Sequence, residues 1–300
     1  MAQSATARTV RSQGPQASTF LGRRSVQKVL SRVLVYTMLL IGAAILMLPL
    51  AWLLSSSLKQ SGRIFQVPPQ WIPDPVVWGN YAEVWRMIPF GLYVRNTSLI
   101  TAASIVGALA SSSIVAFGFA RLRFPGRDAL FLILLATIMI PSQVTLIPTY
   151  VMFRIVGWLD SYYPLIVPAF FGGGAFNIFL LRQFFMKLPL ELDDAARIDG
   201  CSTFGIFRRI LLPQSRPALG VIAIFLFMGN WNDFFAPLIY LNSPDKYTLA
   251  LGLNMFRGTQ YTAWHLLMAA STMTAIPCMI LYFLAQRYFI QGIVFTGIKG

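Results

Sequence analysis

Residues 188–219 have the sequence LPLELDDAARIDGCSTFGIFRRILLPQSRPAL and form the longest polar interruption between two strongly apolar parts of the chain. Pro189 suits the first turn of a helix, and the acidic residues that follow it are favoured there by the helix dipole. Gly200 can adopt the left-handed conformation that ends a helix, Ser202 can cap a second helix, and Pro213 would end that second helix. The stretch therefore predicts two short helices joined by a turn at a membrane surface.

The composition of the whole chain indicates a membrane protein. The 300 residues are 56% hydrophobic and only 11% charged, and the mean hydropathy is +0.64. This composition is too apolar for an ordinary soluble domain and is typical of a chain that crosses the bilayer several times. We therefore predict an all-α, polytopic membrane protein.

Six apolar windows are long enough to cross a bilayer, and only one of them contains a charged residue, Asp233. We expect six transmembrane helices within a membrane domain of residues 29–300. Residues 1–28 are rich in Ser, Ala, Gln and Arg and predict a disordered tail. The windows are 33–57, 96–120, 129–153, 161–181, 217–241 and 266–286.

The distribution of basic residues predicts the orientation of the chain. Six spans place both termini on one side of the membrane, where the loops and tails hold seventeen basic residues against seven on the other side. Lys and Arg accumulate in the cytoplasmic segments of membrane proteins. We therefore expect both termini, and the stretch 188–219, to lie in the cytoplasm.

The residue types offer little material for catalysis, cofactors or metals. Cys201 and Cys278 are far apart and His265 is the only histidine, so we expect neither a zinc site nor Cys–His catalysis. No phosphate-binding loop surrounds any of the five lysines. We predict that the protein is not an enzyme and carries no cofactor. The basic residues lie mostly between apolar segments, so we do not expect nucleic-acid binding.

Asp233 lies toward the outer end of the fifth window, in the segment GNWNDFFAP. An ionisable group inside a membrane is a candidate for a transport pathway, here together with Asn230 and Asn232. The alternative is an interfacial carboxylate that accepts hydrogen bonds from Asn230 or the nearby backbone. The sequence leaves both interpretations open.

A chain without a phosphate-binding loop is not expected to hydrolyse ATP, and no other chemistry is found for the stretch 188–219. The function of this stretch therefore has to be explained in another way. Docking to a soluble partner is the favoured interpretation, and a simple connection between two spans is the alternative. One face of its first helix combines residues at the spacing i, i+3, i+4 and i+7, and small side chains on this face would permit close approach by a partner. These residues are Leu192, Ala195, Ala196 and Asp199.

The same stretch resembles the cytoplasmic loop signature of permease subunits from binding-protein-dependent ABC importers. That signature has E-A-A, then D-G, then L-P, and the first position here is Asp, which keeps the charge of Glu but shortens its reach. The resemblance covers about Trp71 to Gly300, and the ending QRYFIQGIVFTGIKG is similar to that of maltose permease-type carbohydrate importers. The matching residues are Asp194, Ala195 and Ala196, then Asp199 and Gly200, then Leu212 and Pro213.

The resemblance implies a type I ABC importer permease fold in a bacterial or archaeal inner or plasma membrane. It implies the function of a transmembrane permease subunit, which forms half of the pore of an ATP-driven sugar importer. The second permease subunit would complete the pore, an ATPase dimer would dock on residues 188–217, and an extracytoplasmic solute-binding protein would deliver the sugar or polyol. The tail 291–300 would lie near the ATPase.

The loop between the fifth and sixth spans would contact the binding protein. The residues expected to do so are Asn254, Met255, Phe256, Arg257 and Gly258. A competing class of function, motivated by Asp233, is a self-sufficient ion-coupled carrier or a polytopic membrane enzyme.

Overall fold

In a computed structural model of this chain, the structure describes the backbone of residues 18–258 and 262–294, and the side chains of residues 29–258 and 262–286. Within these ranges the regular secondary structure is helical, and the β-structure is a single isolated bridge between Arg257 and Thr262. Residues up to Trp52 form one compact unit, and those from Leu53 onward form a second. Residues 291–300, which are predicted to lie near the ATPase, fall outside the residues whose side chains the structure describes.

The first unit is formed by helix α1, Ser18–Ser57, whose last residues continue into the second unit. Its segment Val29–Ser57 is apolar enough to cross a membrane, as predicted. Leu40 and Leu46 are 71% and 80% exposed, as expected for side chains that lipid would cover. The helix includes residues 18–28, so the predicted disordered tail is corrected there, because the good helix formers among these residues extend the span. Residues 1–17 lie outside the described residues.

The second unit begins with the last residues of α1 and a loop, and then contains two groups of helices. The first group includes α3, a continuous helix of 32 residues without an internal proline. Its members are α2 (Gly79–Met87), α3 (Phe90–Arg121), α4 (Arg127–Ile138), α5 (Ser142–Ile155), α6 (Tyr163–Ile166), a 3-10 turn (Val167–Phe170) and α7 (Ala175–Lys187).

The second group carries both loops that the sequence singled out. Its members are α8 (Glu191–Ile198), α9 (Thr203–Ile206), a π-helical segment (Phe207–Leu211), α10 (Leu212–Gln214), α11 (Arg216–Trp231), α12 (Phe235–Tyr240), a 3-10 turn (Pro244–Lys246), α13 (Leu249–Leu253), a 3-10 turn (Asn254–Phe256) and α14 (Trp264–Val294).

Four helical stretches among the described residues are each long and apolar enough to span a membrane, and the count becomes six when each of two bent pairs forms one span. α4 and α5 meet at 97° next to Pro141, and the helix ending at Gln214 meets α11 at 73°. The helical stretch Thr203–Gln214 ends one residue after Pro213, as predicted for a proline that closes a helix.

The fifth apolar window, residues 217–241, is predicted to form one continuous span, but its helix is interrupted near the outer end. α11 ends at Trp231, and the short helix α12 begins at Phe235. The carboxylate of Asp233 accepts hydrogen bonds from the first backbone N–H groups of α12, which starts a new helix instead of extending the old one. Asp233 therefore lies between two helices and not within a continuous span.

α3 is the central helix of the second unit and packs against α7 and α11. Its N-terminal part contributes Phe90 and Tyr93 to a first core cluster, and its C-terminal part contributes Ala116 and Phe117 to a second core cluster. The first core cluster also contains Trp231, Leu249, Phe256 and Leu266. The second also contains Phe185, Ala196, Phe207, Leu211 and Ile222.

Glycines allow the segment between α6 and α7 to lie directly against α3. A Cβ atom on Gly107 would lie 2.4 Å from the ring of Phe170, and one on Gly173 would lie 2.4 Å from the carbonyl oxygen of Ala108. Gly173 also has a φ of +64°, which favours glycine. Close helix approach of this kind is how membrane helices gain packing energy.

We predict that Gly173→Ala destabilises the protein more than Gly172→Ala does. Both residues have a positive φ, +64° and +90°, so both alanines carry backbone strain. A Cβ at 172 would meet its nearest neighbour, Ile178, at an ordinary 3.7 Å, whereas the clash at 173 is with backbone. The extra loss is expected to be about 1–3 kcal/mol. Thermal unfolding in detergent measures it, and equal losses for the two variants would show that the close approach contributes nothing.

Candidate functional site

The loop 188–217 folds locally as its residues predict. α8 begins with Glu191, Asp193 and Asp194 in its first turn, where unpaired backbone N–H groups favour negative charge. Gly200 has a φ of +79°, and the Ser202 hydroxyl accepts a hydrogen bond of 3.1 Å from the backbone N–H of Gly205. The predicted turn and the predicted cap are thus confirmed.

α8 has one exposed face and one buried face. Ile198, 87% exposed, stands on the outer face, whereas Ala196 is only 7% exposed and belongs to the second core cluster. Of the residues predicted to contact an ATPase, Ala196 is therefore corrected to an internal packing residue, because its methyl group lets α8 lie against the protein's own helices. The predicted contact residues that are exposed are Asp194, Ala195, Asp199 and Gly200.

A buried ion pair that the sequence did not reveal holds the inner face of α8. Arg121 Nε lies 3.2 Å from Asp193 Oδ2, and the two side chains are 4% and 6% exposed. Arg121 Nη2 also donates a hydrogen bond of 2.9 Å to the carbonyl oxygen of Leu188. The guanidinium group thus connects the C-terminal end of α3 to both the start of the loop and α8. The sequence offers no local signal that pairs two such distant residues.

The predicted binding-protein contact follows α13. Asn254, Met255, Arg257 and Gly258 are exposed. Phe256 is 3% exposed and packs in the first core cluster, so its predicted contact role is corrected: a large aromatic side chain here is buried to anchor the turn.

Asp160 fixes the base of this loop. Its Oδ1 accepts hydrogen bonds of 2.9 Å from the backbone N–H groups of Asn242 and Ser243, and its Oδ2 accepts from the Ser243 hydroxyl and from Lys246 Nζ. These hydrogen bonds, with those from Ser243 first, hold the pKa of Asp160 well below its usual range. The hydrogen bond to Asp160 raises the pKa of Lys246.

α3 holds the same loop through two polar side chains. Asn96 Nδ2 donates to the carbonyl oxygens of Asp245, at 2.9 Å, and Tyr247, at 3.0 Å. The Thr97 hydroxyl accepts a hydrogen bond of 2.7 Å from the backbone N–H of Leu249, at the start of α13. Both side chains belong to buried residues. α3 therefore contacts the loop near 254–258 at one end and α8 at the other.

The structure places two of the three predicted pathway residues at one cavity and the third outside it. Asn230 and Asp233 line a cavity of about 130 Å³ together with the hydroxyl-bearing residues Thr97 and Thr248. Asn232 lies outside this cavity, and its side-chain amide donates to the carbonyl oxygen of Met228 at 2.8 Å.

Asp233 also borders a second groove, on the side of the bent α4–α5 pair. This groove has a volume of about 290 Å³ and is lined by apolar side chains and by hydroxyl-bearing residues, of which Ser142, Thr145 and Thr149 follow the break at Pro141 and Tyr240 ends α12. One carboxylate oxygen of Asp233 accepts hydrogen bonds from the backbone, as the interfacial interpretation expects, while its place beside two cavities leaves the pathway role a prediction. Among the described residues, no group of three or more His, Cys, Asp and Glu side chains is placed to hold a metal ion.

Apolar helices long enough to span a membrane, two bent helix pairs and a short helix with one exposed face between two spans define the class: an all-α polytopic membrane protein. The comparisons with known proteins identify the family. The protein-family model described as "Binding-protein-dependent transport system inner membrane component" matches residues 105–294 of this chain. The chain belongs to this family.

Several relatives are similar over most of the chain. It is 33% identical over 256 residues to the probable ABC transporter permease protein YurM of Bacillus subtilis, covering 84% of this chain and 83% of YurM. It is 33% identical over 267 residues to the sn-glycerol-3-phosphate transport system permease protein UgpE of Yersinia pestis, covering 86% and 94%. It is 34% identical over 261 residues to the arabinooligosaccharides transport system permease protein AraQ of Halalkalibacterium halodurans, covering 86% and 93%.

Solved structures share the fold. A chain of a bacterial ABC transporter involved in the import of the acidic polysaccharide alginate superimposes with a TM-score of 0.77 at 23% identity, covering 88% of this chain and 98% of the other. A chain from the bacterial alginate ABC transporter in complex with a periplasmic protein bound to an alginate pentasaccharide gives a TM-score of 0.63. The predicted ABC importer permease fold is thereby confirmed, and the family membership supports a permease over an ion-coupled carrier or a membrane enzyme.

We predict that Asp160→Asn destabilises the protein by about 1–2 kcal/mol, because charged hydrogen bonds to the loop are lost. The depressed pKa means that the contribution of Asp160 is complete above the unfolded-state pKa and is lost as the pH falls through the folded-state value. The raised pKa of Lys246 keeps its charge present throughout neutral and mildly alkaline pH. The difference from wild type should therefore stay constant between about pH 5 and pH 9 and shrink below about pH 4.

Thermal unfolding at a series of pH values measures this difference. Asp245→Asn is the matched control, since it removes an equal charge from an exposed residue of the same loop. A loss in Asp160→Asn no larger than in the control would contradict the assignment.

Proposed function

We propose that the chain is one of two permease subunits that together form the pore of an ATP-driven importer of sugars or related polyols. The observation that carries this proposal is the exposed outer face of α8, which the buried ion pair below it holds in place. The substrates in the names of UgpE and AraQ, a glycerol phosphate and arabinooligosaccharides, support a carbohydrate or polyol as the cargo.

A dimer of ATPase subunits docks on the loop 188–217 in this proposal. Asp194, Ala195, Asp199 and Gly200 provide the contact, and the exposed Ile198 offers an apolar side chain for a pocket on the partner. The Asp194 carboxylate lies 3.4 Å from Arg197 Nη1, and both side chains are exposed. Such a pair is weak in water, so Asp194 can exchange this arginine for a cation of the partner.

Both termini and the loop 188–217 lie on the cytoplasmic side in this proposal. The support is the excess of basic residues in the termini and in the loops of that side. The loop with Asn254, Met255, Arg257 and Gly258 then faces the outside, where an extracytoplasmic solute-binding protein contacts it. The contact to Asp160 at its base keeps this loop in a defined position.

The pathway for the substrate passes the polar surface around Asp233. Asn230, Thr97 and Thr248 border the cavity on one side, and the hydroxyl groups of the α4–α5 pair border the groove on the other. Amide, hydroxyl and carboxylate groups can exchange hydrogen bonds with the hydroxyl groups of a sugar as it moves. Closure of the ATPase dimer on ATP would move α8 as a rigid body and switch the spans between inward-facing and outward-facing states.

Replacing Ala195 by tryptophan tests the ATPase contact. The side chain is exposed, so Ala195→Trp should leave folding intact but sterically block the partner, reducing co-purification of the ATPase subunit by about tenfold or more. Ala82→Trp adds the same bulk to an exposed residue of α2 and should leave co-purification unchanged. Full retention of the ATPase with Ala195→Trp, or uptake by the chain without any ATPase, would refute the docking proposal.

Replacing Arg257 tests the contact with the binding protein. Arg257→Ala should reduce the stimulation of ATP hydrolysis by the binding protein about fivefold to tenfold in the assembled transporter, because an exposed cation at the contact is lost. Arg154→Ala removes an exposed arginine at the end of α5 and serves as the control. Equal effects of the two variants would point to general surface charge and not to this loop.

A further inference from the structure

Both proposed contact regions are attached to the same helix. At its C-terminal end, α3 holds α8 through Arg121, and in its N-terminal part it holds the loop 242–249 through Asn96 and Thr97. Tyr93, one turn before Asn96, belongs to the first core cluster, and Phe117, one turn before Arg121, belongs to the second. We infer that α3 transmits movement between the α8 contact and the 254–258 contact, with Arg121 and Asn96 as its positioning residues. This inference rests on the proposed function, which assigns a partner to each contact.

The attachment at Arg121 controls orientation as well as distance. One guanidinium group contacts two separate points, the carboxylate of Asp193 on α8 and the carbonyl oxygen of Leu188 before it. Two contacts from a planar, rigid group prevent α8 from rotating about a single bond. Both charges are almost completely buried, so separating them would leave an uncompensated buried charge. α8 and the end of α3 therefore move together.

The attachment at Asn96 has the same form. One buried side-chain amide bridges two carbonyl oxygens of the loop, those of Asp245 and Tyr247. The neighbouring Thr97 hydroxyl accepts the hydrogen bond from the backbone N–H of Leu249, at the first residue of α13. α13 leads directly into the exposed residues 254–258. A displacement of α3 is thus passed to the proposed binding-protein contact without a flexible segment in between.

α3 is continuous between its two attachments. From Asn96 to Arg121 it rises about 38 Å, at 1.5 Å per residue, and no proline interrupts its hydrogen bonds. α11 also has buried residues in both core clusters, but it is bent by 73° from the preceding helix and ends at Trp231, before Asp233. α3 is therefore the stiffer of these two connections.

A transmission in series makes a specific prediction about combined substitutions. If movement passes through both attachments of α3, loosening either one uncouples the two contacts, and loosening the second adds little. Two independent structural defects at sites this far apart would instead multiply their effects. The interaction between the two attachments therefore separates transmission from general damage.

The test uses the assembled transporter, with its ATPase, its second permease and its binding protein, and measures how strongly the binding protein stimulates ATP hydrolysis. The first variant, Arg121→Gln with Asp193→Asn, neutralises both buried charges together and so leaves neither unpaired. The second, Asn96→Leu, removes the bridging amide. Each should reduce stimulation about tenfold, and their combination should also reduce it about tenfold instead of about a hundredfold.

The chain offers a control for each substitution. Arg127→Gln with Asp128→Asn makes the same chemical change in a more exposed ion pair of 2.9 Å on α4, and so controls for the loss of the two charges. Asn80→Leu removes another buried amide that bridges two carbonyl oxygens, those of Ser57 and Lys59. Both controls should keep wild-type stimulation, and a tenfold loss in either control would overturn the assignment to α3.

Two further readouts separate the possible failures. Co-purification of the ATPase should stay close to wild type in Asn96→Leu, which lies far from α8, and the unfolding temperature of this variant should fall no further than that of Asn80→Leu, since both lose a buried bridging amide. For Arg121→Gln with Asp193→Asn, stimulation is measured at a saturating amount of ATPase, so that weaker docking is separated from lost transmission. Multiplicative losses in the combined variant, or losses that follow the unfolding temperature, would overturn the transmission inference. A wild-type chain that neither binds the ATPase nor responds to the binding protein would instead refute the proposed function itself.

Discussion

The buried ion pair between Arg121 and Asp193 determines how α8 is presented. Asp193 is adjacent to the exposed Asp194, and the two carboxylates differ in environment, because that of Asp193 is buried in the ion pair and that of Asp194 is exposed. A buried carboxylate without a partner would be too costly, so the arginine at the end of α3 fixes which face of α8 turns inward. Everything that the outer face offers to a partner depends on that choice.

The membrane imposes a second constraint, because lipid supplies no hydrogen bonds to an interrupted backbone. The chain nevertheless interrupts its helices beside Pro141 and after Trp231. At the second interruption, Asp233 accepts hydrogen bonds from backbone N–H groups of α12. Ser142 and Asp233, next to the two interruptions, line the same groove, and irregular backbone is tolerated in a membrane protein where it lines a cavity.

Local sequence signals and the structure agree where short-range chemistry decides. The left-handed Gly200, the cap by Ser202 and the acidic first turn of α8 follow from backbone geometry and dipoles within a few residues. The apolar windows likewise fall on helices, since a bilayer requires long apolar segments. The helix beginning at Ser18 and the end of α11 at Trp231 are the places where local composition misjudged a boundary.

The sequence by itself determined the fold class, the spans and the identity of the two loops, because hydropathy and turn residues are properties of short segments. The tertiary structure alone decided which side of each loop is available. It buried Ala196 and Phe256 in the core clusters, separated Asn232 from the cavity beside Asp233, and brought Arg121 to Asp193 and Asp160 to Lys246. These outcomes depend on contacts between residues distant in the chain, and no periodicity within a segment encodes them.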